Sequence, residues 1–223
     1  MFIIPDVLSP DELAQVRELL GQMQWQEGSQ TAGAGSNYQK HNLQGDPTHP
    51  AVQQGQQLVY QALMRNPRFK ILAVPKKVRP VTFNRYDEGM EYGDHMDHPI
   101  LPGEQQIRGD ISLTIFMSDP ADYDGGELVV RSDMADSQTV KLEAGQAVVY
   151  SAATLHRVNP VTRGSRLAAV TTAESMIHDE YQRELIGELA QLTRWVQDIA
   201  PRTPQERRAN KIYANLLRLW SET

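Results

Sequence analysis

Residues 78–173 contain short apolar segments whose side chains alternate with a period of two, and this pattern constrains the fold more than any other feature. Val78–Tyr86 is rich in β-branched and aromatic residues, and Ile111–Met117 alternates over much of its length. Turn residues such as Asp124-Gly125-Gly126 separate the segments. Many short strands divided in this way predict a double-stranded β-helix, a cupin-like jelly roll. Further strands are predicted at 127–131, 139–142, 147–151, 155–158 and 167–172.

Helices are predicted on both sides of these strands. Ser9 and Glu12 have capping-box spacing with Pro10 at the first helical position, which predicts a helix ending near Met23. A second helix is predicted from Pro50 to Met64. After Ala173 the apolar spacing becomes helical again, which predicts two C-terminal helices. They cover 178–199 and 204–220.

The fold class is therefore α+β, with a jelly-roll core between N-terminal and C-terminal helices. The predicted organisation is a helical support region at 1–77, the jelly-roll core at 78–175 and a helical extension at 176–223. Residues 27–46 are rich in Gly, Ser, Gln and Asn. We expect this segment to be a long loop, of the kind that often forms a lid or binding loop.

Composition limits the classes of partner and site. The chain has 223 residues and no cysteine, so any metal must be bound by nitrogen and oxygen. A net charge of −6 argues against nucleic acid as the main partner. Its apolar runs are too short to span a bilayer, and the first residues do not have the pattern of a signal peptide. We therefore expect a cytoplasmic protein without a membrane partner.

A pair of metal-ligating residues, His95 and Asp97, is the strongest functional signal. On an extended strand two residues at this spacing point to the same side. With His156 about sixty residues later, they supply the two imidazoles and one carboxylate of the non-haem iron(II) facial triad. Arg166 follows ten residues after His156 and is followed by a run of apolar residues. An unpaired charge in such surroundings would be costly. Arg166 needs either a bound carboxylate or an internal salt bridge.

The sequence around these residues resembles the iron(II)- and 2-oxoglutarate-dependent dioxygenases of the prolyl 4-hydroxylase-like superfamily. Within that superfamily, it is most similar to the bacterial PKHD-type hydroxylase family, which is associated with iron uptake. The resemblance covers residues 78–173 by motif and the whole chain by length. The motifs that carry it are Arg85-Tyr86-Asp87-Glu88-Gly89, His95-Met96-Asp97, Gly125-Gly126-Glu127-Leu128, Leu155-His156-Arg157-Val158 and Gly164-Ser165-Arg166-Leu167.

The resemblance implies iron(II) bound by His95, Asp97 and His156, and 2-oxoglutarate with its distal carboxylate on Arg166. It implies a Tyr86 hydroxyl directed at the co-substrate, and Asn84 would face the same side of the strand. It implies no catalytic side chain beyond the metal centre. The expected activity is hydroxylation of an unidentified peptidyl or small-molecule substrate by O2, with L-ascorbate as an additional cofactor.

Other functions remain open at this stage. A non-catalytic jelly-roll module that binds a metal or small molecule, such as an iron-responsive regulator, would keep the three ligands without needing Arg166. A zinc hydrolase could use the same ligands, but the sequence has no helical H-E-x-x-H motif to supply its base. His98 is expected to be an exposed loop residue. The basic run 76–79 is expected to be a solvated start of a strand, and 125–127 a tight hairpin turn.

The C-terminal helices each carry an apolar stripe. One comprises Leu185, Leu189, Leu192, Trp195 and Ile199, and the other Leu216, Leu217, Leu219 and Trp220. Packing on the molecule's own sheet accounts for one stripe more readily than for both. Because large exposed apolar patches are uncommon in monomers, we predict a homo-oligomer, most simply a dimer, whose interface includes the segment after Pro204.

Overall fold

The computed structural model describes residues 1–31, 39–101, 106–131 and 137–222. Its helices are α1 (Pro10–Gln22), α2 (Pro50–Arg65), α3 (Pro67–Ala73), α4 (Glu180–Ile199) and α5 (Pro204–Trp220). Its strands are β1 (Phe2–Ile4), β2 (Trp25–Glu27), β3 (Lys40–His41), β4 (Leu43–Gly45), β5 (Pro75–Val78), β6 (Thr82–Asp87), β7 (Glu91–His95), β8 (Ile100–Leu101), β9 (Ile107–Arg108), β10 (Ile111–Phe116), β11 (Tyr123–Gly125), β12 (Leu128–Val130), β13 (Gln138–Val140), β14 (Ala147–Ser151), β15 (His156–Val158) and β16 (Val161–Ser175).

Two antiparallel sheets form the jelly-roll core. The larger has the order β1-β14-β10-β16-β6-β4-β2, and β5 and β11 also pair with β16. The smaller has the order β13-β12-β15-β7-β3, and β8 pairs with β9 separately. An apolar cluster joins the sheets, with Phe116 and Val148 from the larger and Leu128 and Val158 from the smaller. This packing confirms the predicted α+β fold with a jelly-roll core.

The helices cover the other face of the larger sheet. Val16 of α1 and Leu63 of α2 belong to one buried cluster with Phe83, Leu113 and Ile115. Side chains alternate along a strand, so the next residues, such as Asn84, Ser112 and Thr114, point between the sheets. The sheet therefore has an apolar outer face under the helices and a more polar inner face.

The N-terminal region departs from the prediction at residues 27–46. The expected loop is wrong for 40–45, where β3 pairs with β7 and β4 pairs with β2 and β6. These strands lack an apolar alternation because Gln44 faces a polar cavity, and Asn42 is buried beside them. Residues 32–38 of the expected loop lie outside the described part of the chain. The short helix α3 was not predicted either.

The glycine pair at 125–126 joins the two sheets. Gly125 and Gly126 have φ angles of 69° and 64°, a conformation that side chains rarely adopt. The prediction of a hairpin turn is wrong, because β11 pairs with β16 in the larger sheet while β12 pairs with β13 and β15 in the smaller one. A Cβ on Gly126 would come within 3.1 Å of Arg166 Cδ, so the turn also leaves room for that side chain.

The C-terminal helices pack mainly on each other and on α3. Ile186, Ala190 and Thr193 form the buried side of α4. On the predicted stripe, Trp195 is 57% exposed and Ile199 58% exposed. The C-terminal part of the stripe therefore lies on the surface of the single chain, whereas Leu185 and Leu189 are half-buried. Of the helices described, none has the length and apolarity required to cross a membrane.

Candidate metal and co-substrate site

His95 and His156 lie opposite each other on neighbouring strands of the smaller sheet. They are register partners in the pairing of β7 with β15. His95 Nδ1 lies 2.8 Å from the Gly93 carbonyl oxygen, and His156 Nδ1 lies 2.9 Å from that of Thr154. Because a carbonyl oxygen can only accept, each Nδ1 carries the proton. Each Nε2 therefore keeps a lone pair for a metal.

Asp97 reaches the same place from a different backbone position than expected. The strand β7 ends at His95, so the prediction that both residues lie on one strand is wrong. Even so, ligand atoms of His95, Asp97 and His156 all lie within 4.8 Å of one another. The Asp97 Oδ1 atom is 4.0 Å from His156 Nε2.

Ser112 orients the Asp97 carboxylate, and the sequence reasoning missed it. Its hydroxyl donates a hydrogen bond to Asp97 Oδ2, while Oδ1 faces the imidazoles. Ser112 is fully buried on β10, a strand whose other residues are mostly aliphatic or aromatic. The sequence did contain a sign of this role: a hydroxyl at an inward-facing position of an apolar strand is buried, and a buried hydroxyl needs a hydrogen-bond partner.

The electrostatics suit neutral imidazole ligands. Burial, and then the neighbouring His156, lower the pKa of His95 to about 4, so its ring is neutral at pH 7. Tyr92 stacks on that ring at a centroid distance of 3.5 Å, and Tyr150 meets His156 edge-on at 5.1 Å. Two imidazole nitrogens and one carboxylate fit a divalent iron ion with coordination positions left open.

Arg166 is a buried charge without a counter-ion among the described residues. Only 1% of the residue is exposed, and its Nε is buried with no hydrogen-bond partner. The nearest aromatic contacts place its guanidinium carbon 5.2 Å from the Tyr86 ring centroid and 5.4 Å from that of Phe116. An internal salt bridge was the alternative, and none is formed with the described part of the chain. A guanidinium held in this way fits the carboxylate of a bound dicarboxylate.

Two phenols line the same cavity as this arginine. Tyr86 is its register partner on β6, and burial raises the pKa of Tyr86 to about 12. Burial also raises the pKa of Tyr150 on β14. Both phenols therefore stay protonated at neutral pH and can donate hydrogen bonds to an anion.

Asn84 lines the cavity, and its side chain is hydrogen-bonded to other amides. Its Oδ1 accepts from Asn42 Nδ2 and from Gln44 Nε2, each at 2.9 Å. Its Nδ2 donates to the Thr82 carbonyl at 3.0 Å. Asn42 and Gln44 were not predicted as site residues because they fall in the segment expected to be a loop.

One cavity of about 700 Å³ contains the histidine and aspartate cluster together with Arg166, Tyr86 and Asn84. That volume is in the range typical of small-molecule sites. His98 is exposed at the mouth, as expected, and is not part of the cluster. His49 lies at the start of α2, where its Nδ1 accepts a hydrogen bond from the Ala51 N–H.

The fold and this cluster define the class. A jelly roll with two imidazoles, one carboxylate and a buried arginine in one cavity is the architecture of a 2-oxoglutarate-dependent iron(II) oxygenase. The family model of the 2OG-Fe(II) oxygenase superfamily matches residues 81–172.

Full-length relatives narrow the class further. The chain is 45% identical to a PKHD-type hydroxylase of Nitrobacter winogradskyi, covering 99% of both chains. It is 41% identical to a PKHD-type hydroxylase of Paracoccus denitrificans, covering 100% of both. The chain belongs to the PKHD-type hydroxylase family, as its motifs predicted.

Solved structures agree on the fold. An oxidoreductase of the 2OG-Fe(II) oxygenase family from Burkholderia pseudomallei has a TM-score of 0.58 at 18% identity, covering 77% of this chain and 84% of that one. A Pseudomonas putida prolyl-4-hydroxylase has a TM-score of 0.54 at 19% identity, covering 78% of this chain and 91% of that one.

The family identifies the chain as an Fe(II)- and 2-oxoglutarate-dependent dioxygenase that hydroxylates an organic substrate with O2. Ascorbate is typical of this family. The enzyme prediction is confirmed, and the non-catalytic module and the zinc hydrolase are set aside.

Proposed function

We propose that His95, Asp97 and His156 hold the iron and that Arg166 binds the distal carboxylate of 2-oxoglutarate. The observation that carries this proposal is the buried Arg166, which has no described counter-ion and shares a cavity with the three ligand side chains. Iron(II) with bound 2-oxoglutarate and O2 supplies the oxidising power to hydroxylate a C–H bond, with succinate and CO2 as co-products.

The protein's own groups fix the geometry for this chemistry. The Gly93 and Thr154 carbonyls hold both imidazoles with Nε2 directed at the metal, and Ser112 holds the carboxylate. The protonated phenols of Tyr86 and Tyr150, which line the same cavity, would supply hydrogen-bond donors to oxygen atoms of the co-substrate. Apolar side chains of the inter-sheet cluster, including Phe116 and Leu128, exclude water from the same volume.

Asn84 contributes to co-substrate binding indirectly. Its side-chain carbonyl oxygen accepts from Asn42 and from Gln44, and Gln44 lines the cavity together with Tyr86. The reactive groups fall within residues 78–175, while 1–77 and 176–223 support them. Strands β3 and β4 of the first region close one side of the cavity.

The surroundings of the enzyme follow from the same chemistry. We propose that the enzyme is cytoplasmic, because 2-oxoglutarate is a metabolite there and iron is kept reduced. The chain has no cysteine, so its fold does not depend on an oxidising compartment. We also propose a homo-oligomer, because Leu192, Trp195 and Ile199 form an exposed apolar stripe on α4. The link to iron uptake rests on the family alone.

The decisive experiment is anaerobic reconstitution with iron(II) and 2-oxoglutarate, followed by addition of O2 in the presence of metabolite extracts. We expect succinate release above that of a His156→Ala variant treated in the same way. Equal succinate release by both proteins would overturn the assignment of the site.

A further inference from the structure

We propose that the organic substrate is a small organic acid and that Arg79, at the mouth of the cavity, binds its carboxylate. This inference rests on the proposed function, because it names the substrate class of that same site. Arg79 lies directly after β5 and lines the cavity that contains the three metal-ligand candidates.

The backbone of Arg79 is fixed on both sides. Its N–H donates to the Thr172 carbonyl oxygen at 3.0 Å, and its own carbonyl accepts from Thr171 Oγ1 at 2.6 Å. Pro80 follows and restricts the backbone further. A cation whose Cα is held in this way loses less freedom when it binds a ligand than one on a mobile loop.

Arg79 also differs from the other cations of its basic run. Lys77 Nζ donates to the Gln106 carbonyl oxygen, and Lys76 lies 3.9 Å from Glu174. Within the described ranges, the Arg79 guanidinium has no hydrogen bond or carboxylate partner. Arg79 therefore differs from the other cations of this solvated run, because it lines the cavity and has no described partner for its guanidinium.

The charges in the cavity favour an anion. Once iron(II) and the 2-oxoglutarate dianion are bound, their charges cancel, and Asp97 and Arg166 cancel as well. Arg79, which also lines the cavity, then adds a positive charge. The chain as a whole carries a net charge of −6, so the cavity is opposite in sign to the molecule. A concave site of one sign concentrates ligands of the other.

Strand register sets the distance that the acid has to span. Thr172 pairs with Ser112, which holds Asp97, and on its other side it bonds to Arg79. Two strand spacings, roughly 10 Å, therefore separate the backbones of Ser112 and Arg79. Arg166 lies six residues before Thr172 on the same strand, β16, and lines the same cavity. A substrate that reaches both the metal and Arg79 needs only the length of a small molecule.

The test compares pairs of compounds that differ only in the anionic group. N-acetyl amino acids and the corresponding N-acetyl amino acid amides are dialysed to equilibrium under nitrogen against the protein with iron(II) and 2-oxoglutarate, and against the protein alone. We expect at least some acids to bind about tenfold more tightly than their amides, as for a charge-assisted hydrogen bond. Arg79→Gln should abolish this preference, and Arg79→Lys should retain part of it because the charge stays but the fork is lost.

Arg68→Gln is the matched control, because Arg68 is an exposed cation on α3 outside the cavity. It removes the same charge and should leave the preference for acids intact. Equal binding of acids and amides, no binding of either, or a preference that survives in Arg79→Gln would each overturn the inference. Succinate release by the wild-type protein without any probe tests the proposed function separately, so the two failures are distinguishable.

Discussion

His95 and His156 are cross-strand partners, with ring centroids 4.2 Å apart on neighbouring strands of the smaller sheet. The pairing of β7 with β15 therefore brings together two imidazoles that lie about sixty residues apart in sequence. A slip of one residue would turn one imidazole to the other face of the sheet. The geometry of the iron site thus depends directly on strand register.

Replacing His95, Asp97 or His156 by alanine should sharply reduce iron(II) binding, because each supplies one of the three donors. Iron content after anaerobic reconstitution measures the effect, and circular dichroism checks that the fold is retained. His98→Ala is the control, since His98 is exposed at the mouth and is not part of the cluster. Full iron occupancy in His156→Ala would contradict the assignment.

Arg166→Lys should raise the concentration of 2-oxoglutarate needed for half-maximal succinate release by about tenfold or more while iron binding stays unchanged. Lysine keeps the charge but loses the bidentate fork that matches a carboxylate. Arg163→Lys provides a control on the same strand, because Arg163 is exposed and pairs with Asp124. An unaltered 2-oxoglutarate titration in Arg166→Lys would mean that the arginine serves the fold instead.

Ser112→Ala should weaken iron(II) binding by about tenfold or more, as loss of a hydrogen bond to a metal ligand typically does. The variant leaves Asp97 in place but removes the donor that orients it. Ser151→Ala is the comparison, since its hydroxyl donates to Glu180 at the surface. If both serine variants bound iron like the wild type, Ser112 would have no positioning role.

Most helices and strands of the fold could be predicted from local sequence patterns. The capping box at Ser9 and Glu12 forms as predicted, and α2 begins at Pro50 as predicted. The strands at 111–116 and 147–151 match closely because alternating apolar residues face two different clusters. Local pattern and tertiary packing agree at these positions.

The differences occur where tertiary contacts override local pattern. Strands β3 and β4 have little apolar content, because Gln44 faces the cavity and finds Asn84 as a partner only in the folded protein. The turn at Gly125 and Gly126 has a hairpin's residues, but its two strands belong to different sheets. At the site, the types and spacing of the ligand residues predicted the cluster. The contributions of Ser112 and Tyr150 could not be predicted, because they depend on how the strands are aligned with one another.

Glu12→Gln should destabilise the protein at neutral pH by about 1 kcal/mol, the range of a partly exposed ion pair and a helix cap. Two hydrogen bonds from Arg65, followed by those from Ser9, lower the pKa of Glu12 from 4.5 to about 2. A carboxyl whose pKa is lower in the folded state contributes stability above its unfolded value. That contribution disappears as the pH falls from about 4.5 to about 2.

Urea unfolding at several pH values between 7 and 3 measures this difference. The gap between the wild type and Glu12→Gln should narrow as the pH is lowered. Glu18→Gln serves as the control, because Glu18 is exposed on the same helix and has no described partner. A gap that stays constant down to pH 3 would show that the Glu12 charge does not contribute.

The intact chain should be a dimer at micromolar concentration, as measured by light scattering. A truncation ending near Pro201 should be monomeric because it removes α5, on which Leu219 is 73% exposed. Trp195→Ser should shift the protein toward monomer without removing any helix, since that residue is 57% exposed on α4. Tyr60→Ser is the matched control, because Tyr60 is an exposed aromatic residue on α2 rather than on a C-terminal helix. A monomeric mass for the intact protein at micromolar concentration would rule out the dimer.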